Sequence, residues 1–317
     1  MTTRPLQQIV LAGPRGFCAG VDRAIDIVEL ALQVCPPPVY VRREIVHNRH
    51  VVSELTGRGA VFVETEEDVP PGAVLVLSAH GVAPEVHRRS AERSLQVLDA
   101  TCPLVTKVHA EARRFAARGY TIVLVGHAGH EEVIGTMGEA PEAIRLVESI
   151  ADVDVLDVPD PDRVAYITQT TLSVDETVEI IAALRLRYPA AIGPKRDDIC
   201  YATQNRQNAV KRLATVVDLV LVIGSRNSSN SNRLVEVTRE LGVPAHLIDD
   251  EGDIDPAWLD GVETVGITSG ASAPETLVDR VIAHFRAMGV EHIETQHAEP
   301  EDVHFTLPTE LRRAVGS

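Results

Sequence analysis

The chain has 317 residues, is 44% hydrophobic and carries a formal net charge of −16, with a mean hydropathy near zero. That composition builds real cores and excludes a disordered chain, and no apolar run reaches the ~18 to 20 residues of a membrane span. An acidic balance argues against nucleic acid as a partner, since phosphate binding selects clustered Lys and Arg. It leaves room for a small anionic substrate in a locally donor-rich pocket. The polar start, residues 1–8, runs straight into a strand and does not read as a signal peptide, so a cytoplasmic protein without membrane contact is expected.

The first predicted strand, residues 9–11, runs into Gly13-Pro14-Arg15-Gly16-Phe17-Cys18 and then a helix over 21–33. Cys18 therefore stands at the carboxyl end of a strand and near a helix N-terminus, whose partial positive charge favours thiolate. Open α/β sheets bind ligands at that edge. The proline-rich turn Cys35-Pro36-Pro37-Pro38 precedes a strand over 39–41, and His47-Asn48 lead into a helix over 49–58. Strands over 60–63 and 73–77 follow, the second ending in Ser78-Ala79-His80-Gly81.

The pattern then recurs. A strand over 95–98 reaches Asp99-Ala100-Thr101-Cys102-Pro103, with a helix over 104–118. The strand over 121–125 ends in Gly126-His127-Ala128-Gly129-His130-Glu131-Glu132, and after 144–147 the strand over 164–167 ends in Thr168-Gln169-Thr170-Thr171. A third copy starts at Asp197-Asp198-Ile199-Cys200 with a helix over 203–216. Its strand over 219–223 ends in Gly224-Ser225-Arg226-Asn227-Ser228-Ser229-Asn230. After 245–248, its strand over 264–267 ends in Thr268-Ser269-Gly270-Ala271-Ser272.

The step from cysteine to the next polar strand end is 29 residues in the first copy (18 to 47) and 28 in the others (102 to 130, 200 to 228). The step to the third strand end is 62, 68 and 72 residues (18 to 80, 102 to 170, 200 to 272). Alternating strands and helices predict parallel sheets with right-handed crossovers. The expected architecture is α/β, with three repeats over 20–101, 102–196 and 197–290 and a polar tail over 291–317 that packs back on the body. If the three repeats face inward about a pseudo-threefold axis, three thiolates converge in a ring of His, Thr, Ser, Asn and Glu.

A single cysteine is most often a small buried hydrophobe, and Cys35, which has no counterpart, reads as a structural or surface thiol. Three at matching places in three repeats point to metal. Zinc binds Cys and His tetrahedrally, but structural zinc sites draw on close pairs that are absent here. An iron–sulfur cluster is the other candidate. Three thiolates on a four-iron cluster leave one iron open as a Lewis acid. A cysteine nucleophile with a His base would use only one of the three thiols. Around them, His47, His80 and His130 offer hydrogen bonds suited to phosphate, and Ser228, Ser229, Asn230 and Ser272 add neutral donors. Each serine alone would serve equally well as a helix cap, and the set favours a diphosphate pocket. Glu132, a carboxyl among anion-binding groups, is a proton-donor candidate with a raised pKa. Glu131 fits an exposed acid at a helix start.

These motifs together resemble the 4-hydroxy-3-methylbut-2-enyl diphosphate reductase (LytB) family of the non-mevalonate isoprenoid pathway. The likeness rests on Pro14 to Ile25, His47-Asn48, Ser78 to Val82, Asp99 to Pro103, Gly126 to Glu132, Gln169 to Ser173, Ile199 to Gln207 and Ser228 to Leu234. The resemblance implies a trefoil of three α/β domains, the N-terminal strand (1–19) joining the third, around a [4Fe-4S] cluster ligated by Cys18, Cys102 and Cys200. It implies that His47, His80, His130, Ser228, Ser229, Asn230 and Ser272 bind the diphosphate. Thr170 and Glu132 would hold the substrate hydroxyl, with Glu132 supplying protons. The implied reaction is a two-electron reductive dehydroxylation to isopentenyl and dimethylallyl diphosphate, fed by a ferredoxin or flavodoxin. No nicotinamide or flavin fingerprint is present, in keeping with an external donor. Arg42, Arg43, Arg88 and Arg89 are candidates for docking it. The rival readings are a quinolinate-synthase-like dehydratase or synthase and a non-catalytic metal sensor.

Overall fold

The computed structural model describes residues 6–297 and 301–314. Strand β1 (Gln8–Leu11) is followed by helix α1 (Ala19–Val34), which buries Val21, Ala24, Ile27, Val28 and Ala31. That spacing of three and four makes one apolar stripe. Next come β2 (Val39–Arg42), α2 (Arg49–Gly57), β3 (Ala60–Val63), β4 (Val74–Leu77), α3 (Pro84–Glu92) and β5 (Gln96–Asp99). Helix α4 (Pro103–Ala117) begins directly after Cys102 with Pro103 in its first position, where a missing N–H costs nothing. The chain continues through β6 (Thr121–Val125), α5 (Glu131–Gly138), β7 (Ile144–Val147), α6 (Ile150–Val155), β8 (Val164–Thr168) and α7 (Val174–Arg187). The third stretch holds α8 (Tyr201–Leu213), β9 (Leu219–Ile223), α9 (Ser229–Glu240), β10 (Ala245–Ile248), β11 (Thr264–Ser269), α10 (Glu275–Ala287), β12 (His292–Thr295) and α11 (Thr309–Ala314).

All the strand pairing is parallel, in three sheets ordered β3-β2-β4-β5, β7-β6-β8 and β10-β9-β11-β1-β12. The α/β class with three parallel sheets is thus what the sequence predicts. Each sheet repeats one order, with the first strand after the cysteine-bearing turn lying between the next two. In the three-stranded sheet an isolated parallel bridge from Ala165 to Ile192 occupies the place that β5 and β1 take in the others. Cys18, Cys102 and Cys200 each therefore follow the segment lying beside the third strand of a sheet, and the helix after each opens the next repeat.

Central strands read as unbroken apolar runs because helices cover both of their faces. In β9, Leu219, Leu221 and Ile223 enter one cluster with Phe285 and Val281, while Val220 and Val222 enter another with Val210 and Leu213. In β6, Val123 and Val125 pack with Leu184 and Ile180, and Ile122 and Leu124 with Phe115.

The chain divides into two compact units. One comprises the described parts of 6–19, 47–51 and 201–304, the other those of 20–46, 52–200 and 305–314. The five-stranded sheet belongs to the first, the other two to the second. The segment expected as a polar tail starts with a strand: β12 pairs with β1, Ile293 opposite Ile9. Its side chains are mostly exposed, so backbone hydrogen bonds rather than an apolar face recruit it to the edge. Further along, Leu311 of α11 is buried.

Candidate metal and substrate site

The three repeats hold their cysteines in the same way. The Cys102 N–H donates to the Ala79 carbonyl at 2.9 Å, Cys200 N–H to Thr170 at 3.0 Å and Cys18 N–H to Ala271 at 3.3 Å. Each acceptor lies two residues beyond the third strand of its sheet. Each thiol thus stands at the carboxyl edge, beside the polar loop that follows β4, β8 or β11. None of the three is in a disulfide and all are half-buried, as is Cys35. Cys35 lies in the turn before β2, its N–H bonded to Ala31, and burial pushes its thiol pKa up. Cys18 lies in the first unit, Cys102 and Cys200 in the second.

In the second unit the polar residues surround Glu132. His130 caps α5, its Nδ1 accepting the Glu132 N–H at 3.1 Å. The neutral ring then carries its proton on Nε2. Glu132 is 2% exposed. Its Oε1 accepts the Thr170 N–H at 2.6 Å and its Oε2 the Thr170 hydroxyl at 2.9 Å. Burial raises its pKa to about 7 against the opposing pull of both Thr170 bonds, and the Asp198 carboxylate adds to the rise. A carboxyl poised at neutral pH both holds and releases a proton there. Since Thr170 also accepts from the Cys200 N–H, the proton-holding pair and that thiol share one backbone anchor.

His80 and His130 meet edge to face with ring centroids 6.0 Å apart. Glu131, expected to be an exposed acid, is instead half-buried. Its carboxylate lies 3.4 Å from Arg43 Nη1 and 3.5 Å from His80 Nδ1, because β2, the loop after β4 and α5 bring those groups together. Behind His80, Gly81 adopts a φ of +78°, and a Cβ there would come within 3.0 Å of the His109 ring. That turn needs glycine.

The first unit gathers the other donors. Ser228 caps α9, its hydroxyl accepting from the Ser231 N–H at 3.3 Å and the Ser231 hydroxyl at 3.0 Å. Ser272 Oγ lies 3.5 Å from Ser228 Oγ and donates to the His47 carbonyl at 3.0 Å. Asn230 is buried between the loop after β11 and helix α8, accepting the Ala271 N–H at 2.9 Å and donating to Thr203 Oγ1 at 3.3 Å. Ser229 is half-buried in the first turn of α9. His47 adjoins Asn48, whose side chain caps α2 through the His50 and Val51 N–H groups. So His47, Ser228, Asn230 and Ser272 form one cluster, and His80, His130, Glu132 and Thr170 stand together in the other unit.

Three groups carry the site without having been singled out in the sequence. Ser231 is fully buried, and a Cβ on either Gly224 or Gly270 would come within 2.1 Å of its hydroxyl. The run of small polar residues at the start of α9 was the available signal. Tyr201 accepts the Ala19 N–H at 3.2 Å beside Cys18, and burial pushes its phenol up to about 12. Asp198, buried, accepts the Thr168 N–H at 2.9 Å.

The four arginines considered as a docking patch are all paired. Arg42 bonds buried Glu66 at 3.0 Å, Arg43 pairs with Glu131, Arg88 with Glu85 and Glu92, and Arg89 with Glu85 and Glu67. Their charge is neutralised within the surface that carries them.

Thiols at the carboxyl edges of parallel sheets, beside clustered hydrogen-bond donors and a poised carboxyl, define an α/β enzyme with a reactive sheet-edge site. The family model described as LytB protein matches residues 9–286, and the chain belongs to the LytB family. It is 58% identical over 310 residues to a 4-hydroxy-3-methylbut-2-enyl diphosphate reductase of Acidothermus cellulolyticus, covering 98% of this chain and 91% of that one. To the reductase of the same description from Mycolicibacterium paratuberculosis it is 59% identical over 309 residues, 97% and 93% of the two chains. Among solved structures, the E-1-hydroxy-2-methyl-but-2-enyl-4-diphosphate reductase of Plasmodium falciparum superposes with a TM-score of 0.93 at 38% identity, covering 98% of both chains. A second reductase, described as the terminal enzyme of the non-mevalonate pathway, gives 0.63 at 33% identity over 89% of this chain and all of that one.

Proposed function

We propose that the chain reduces 4-hydroxy-3-methylbut-2-enyl diphosphate to isopentenyl and dimethylallyl diphosphate, the terminal step of the non-mevalonate pathway. Two electrons and two protons enter, the allylic C–O bond breaks, and water leaves. The observation that carries this reading is the buried Glu132–Thr170 pair anchored to the Cys200 backbone, in a chain whose relatives bear the reductase name. It supports the reading because a carboxyl that titrates near neutral pH shares its backbone anchor with one of the proposed cluster ligands.

The residue types suit a [4Fe-4S] cluster held by Cys18, Cys102 and Cys200. None of the three thiols is in a disulfide, and each backbone is fixed at an equivalent loop. When bound, such a cluster would supply electrons and Lewis acidity toward the substrate hydroxyl.

The chain's own groups do the rest. His47, His80, His130, Ser228, Ser229, Asn230 and Ser272 bind the diphosphate oxygens. His130 uses its Nε2–H, since Nδ1 is committed to the helix cap. Thr170 orients the substrate hydroxyl, and Glu132 holds and delivers protons. A ferredoxin or flavodoxin supplies electrons one at a time. No helix among the described residues is long and apolar enough to cross a membrane, and soluble donors of this kind suit a cytoplasmic enzyme.

The test is turnover under nitrogen with dithionite-reduced viologen and the hydroxymethylbutenyl diphosphate. Substrate-dependent dye oxidation yielding both C5 diphosphates is expected. A protein that carries the cluster but leaves the dye reduced would overturn the substrate assignment.

A further inference from the structure

Cys18, Cys102 and Cys200 are each reached through a short irregular segment whose carbonyls have no ladder to join. Irregular backbone needs donors, and here each segment meets a cation. Arg23 Nη1 donates to the Ala100 and Thr101 carbonyls at 3.2 and 3.1 Å, just ahead of Cys102. Lys107 Nζ donates to the Arg196 and Asp197 carbonyls at 2.5 and 3.1 Å and to Asp198 Oδ1 at 2.8 Å, just ahead of Cys200. Arg206, fully buried, donates to the Gly16 carbonyl through Nη2 and Nε at 2.6 and 3.1 Å and to the Phe17 carbonyl at 3.2 Å, just ahead of Cys18.

The placement is cyclic. Arg23 lies on α1, five residues after Cys18; Lys107 on α4, five after Cys102; Arg206 on α8, six after Cys200. The helix that follows one cysteine thus carries the cation that holds the approach to another, and the series closes after three steps. The cation is arginine twice and lysine once and the surrounding sequences differ, yet two adjacent carbonyls within the four residues ahead of a cysteine are taken each time. A buried guanidinium is costly unless its donors are satisfied, so Arg206 is retained for what it holds. The stretch that follows residue 300 backs two of the three. Glu301 accepts from Arg206 Nη1 at 3.1 Å and from Asn205 at 2.9 Å, and the Thr306 carbonyl accepts from Arg23 Nε at 2.8 Å.

We propose that Arg23, Lys107 and Arg206 are positioning residues that fix the backbone ahead of Cys102, Cys200 and Cys18 in turn, and so set how firmly the three thiolates hold a shared cluster. The inference rests on the cysteines being cluster ligands. One cation per thiolate also offsets the negative charge that such a site accumulates.

The test uses the anaerobically reconstituted full chain as wild type, Arg23→Gln, Lys107→Met, Lys107→Arg and Arg206→Gln. Iron and sulfide per chain, the lifetime of the cluster absorbance in excess chelator, and iodoacetamide labelling of each cysteine by mass spectrometry are the readouts. Lys107→Met should shorten the cluster lifetime about tenfold, the scale seen when groups that orient metal ligands are removed. It should raise labelling of Cys200 above that of Cys18 and Cys102, with Lys107→Arg within twofold of wild type. Arg23→Gln should single out Cys102 and Arg206→Gln should single out Cys18. Should Arg206→Gln not fold, Glu301→Gln, which leaves Arg206 in place, is expected to expose Cys18 selectively but less. An unchanged lifetime in Lys107→Met, or equal labelling of all three cysteines in every variant, overturns the proposal. Wild type that takes up neither iron nor sulfide overturns the cluster reading itself, and the cysteine-by-cysteine labelling still judges the three cations as backbone anchors.

Discussion

Replacing Glu132 by Gln separates a proton carrier from a structural acid. Its pKa is raised from 4.5 to about 7 by burial, a difference worth roughly 3 kcal/mol between the two protonation states. The unfolded chain releases this proton near its ordinary pKa and the folded chain only near 7. Between those values the folded state binds more protons, so stability falls as pH rises and the cost is complete above pH 7. Gln keeps an acceptor for the Thr170 N–H and carries no charge, which removes the titration. The variant should therefore gain on wild type by about 3 kcal/mol between pH 4 and pH 8. Urea unfolding of the cluster-loaded protein at four pH values measures this. In turnover the same variant should keep its cluster and bind substrate but lose activity by roughly 10²- to 10⁴-fold, the range of a lost general acid. Stability curves for the two proteins that stay parallel across the pH range would refute the buried, titrating carboxyl, and unchanged turnover would remove Glu132 from the mechanism.

Thr170→Val removes the hydroxyl bond that holds the Glu132 pKa down. Turnover should drop, and the alkaline limb of the pH–rate profile should move to higher pH; a move to lower pH would contradict the assignment. Ser228→Ala loses the α9 cap, worth about 1 kcal/mol, and a donor for the diphosphate, so KM should rise with a small fall in melting temperature. Gly270→Ala drives a methyl to within 2.1 Å of Ser231 Oγ and should destabilise by about 1 to 3 kcal/mol. Adding Ser231→Gly should recover part of that loss, and an absence of recovery would show that the clash lies elsewhere.

Much of this site was legible because strand ends and helix starts fix spacing. His47, His130 and Ser228 each lie five residues beyond a central strand, which is why a 28- to 29-residue step from cysteine found them. The third set was legible only to within one residue. The hydrogen bonds align Thr170 with Ala79 and Ala271, whereas the polarity pattern aligned it with His80 and Ser272. Glu131 was misread because its partners, Arg43 and His80, come from distant loops that no local pattern foretells. Arg206 is charged and sits on a helix, and nothing nearby in sequence says that it is buried against the Cys18 turn. Strand β12 has neither alternation nor an apolar face, and only the open edge of β1 makes it a strand.

The central claim is that one cysteine from each repeat holds a common cluster, and iron and sulfide content tests it most directly. Anaerobic wild type should carry roughly four irons and four sulfides per chain, with broad visible absorption. Cys18→Ser, Cys102→Ser and Cys200→Ser should each lose most of that content and all activity while largely keeping the fold, and Cys35→Ser should match wild type. Stoichiometric zinc in a colourless protein, or full iron content in any of the first three variants, would contradict the account.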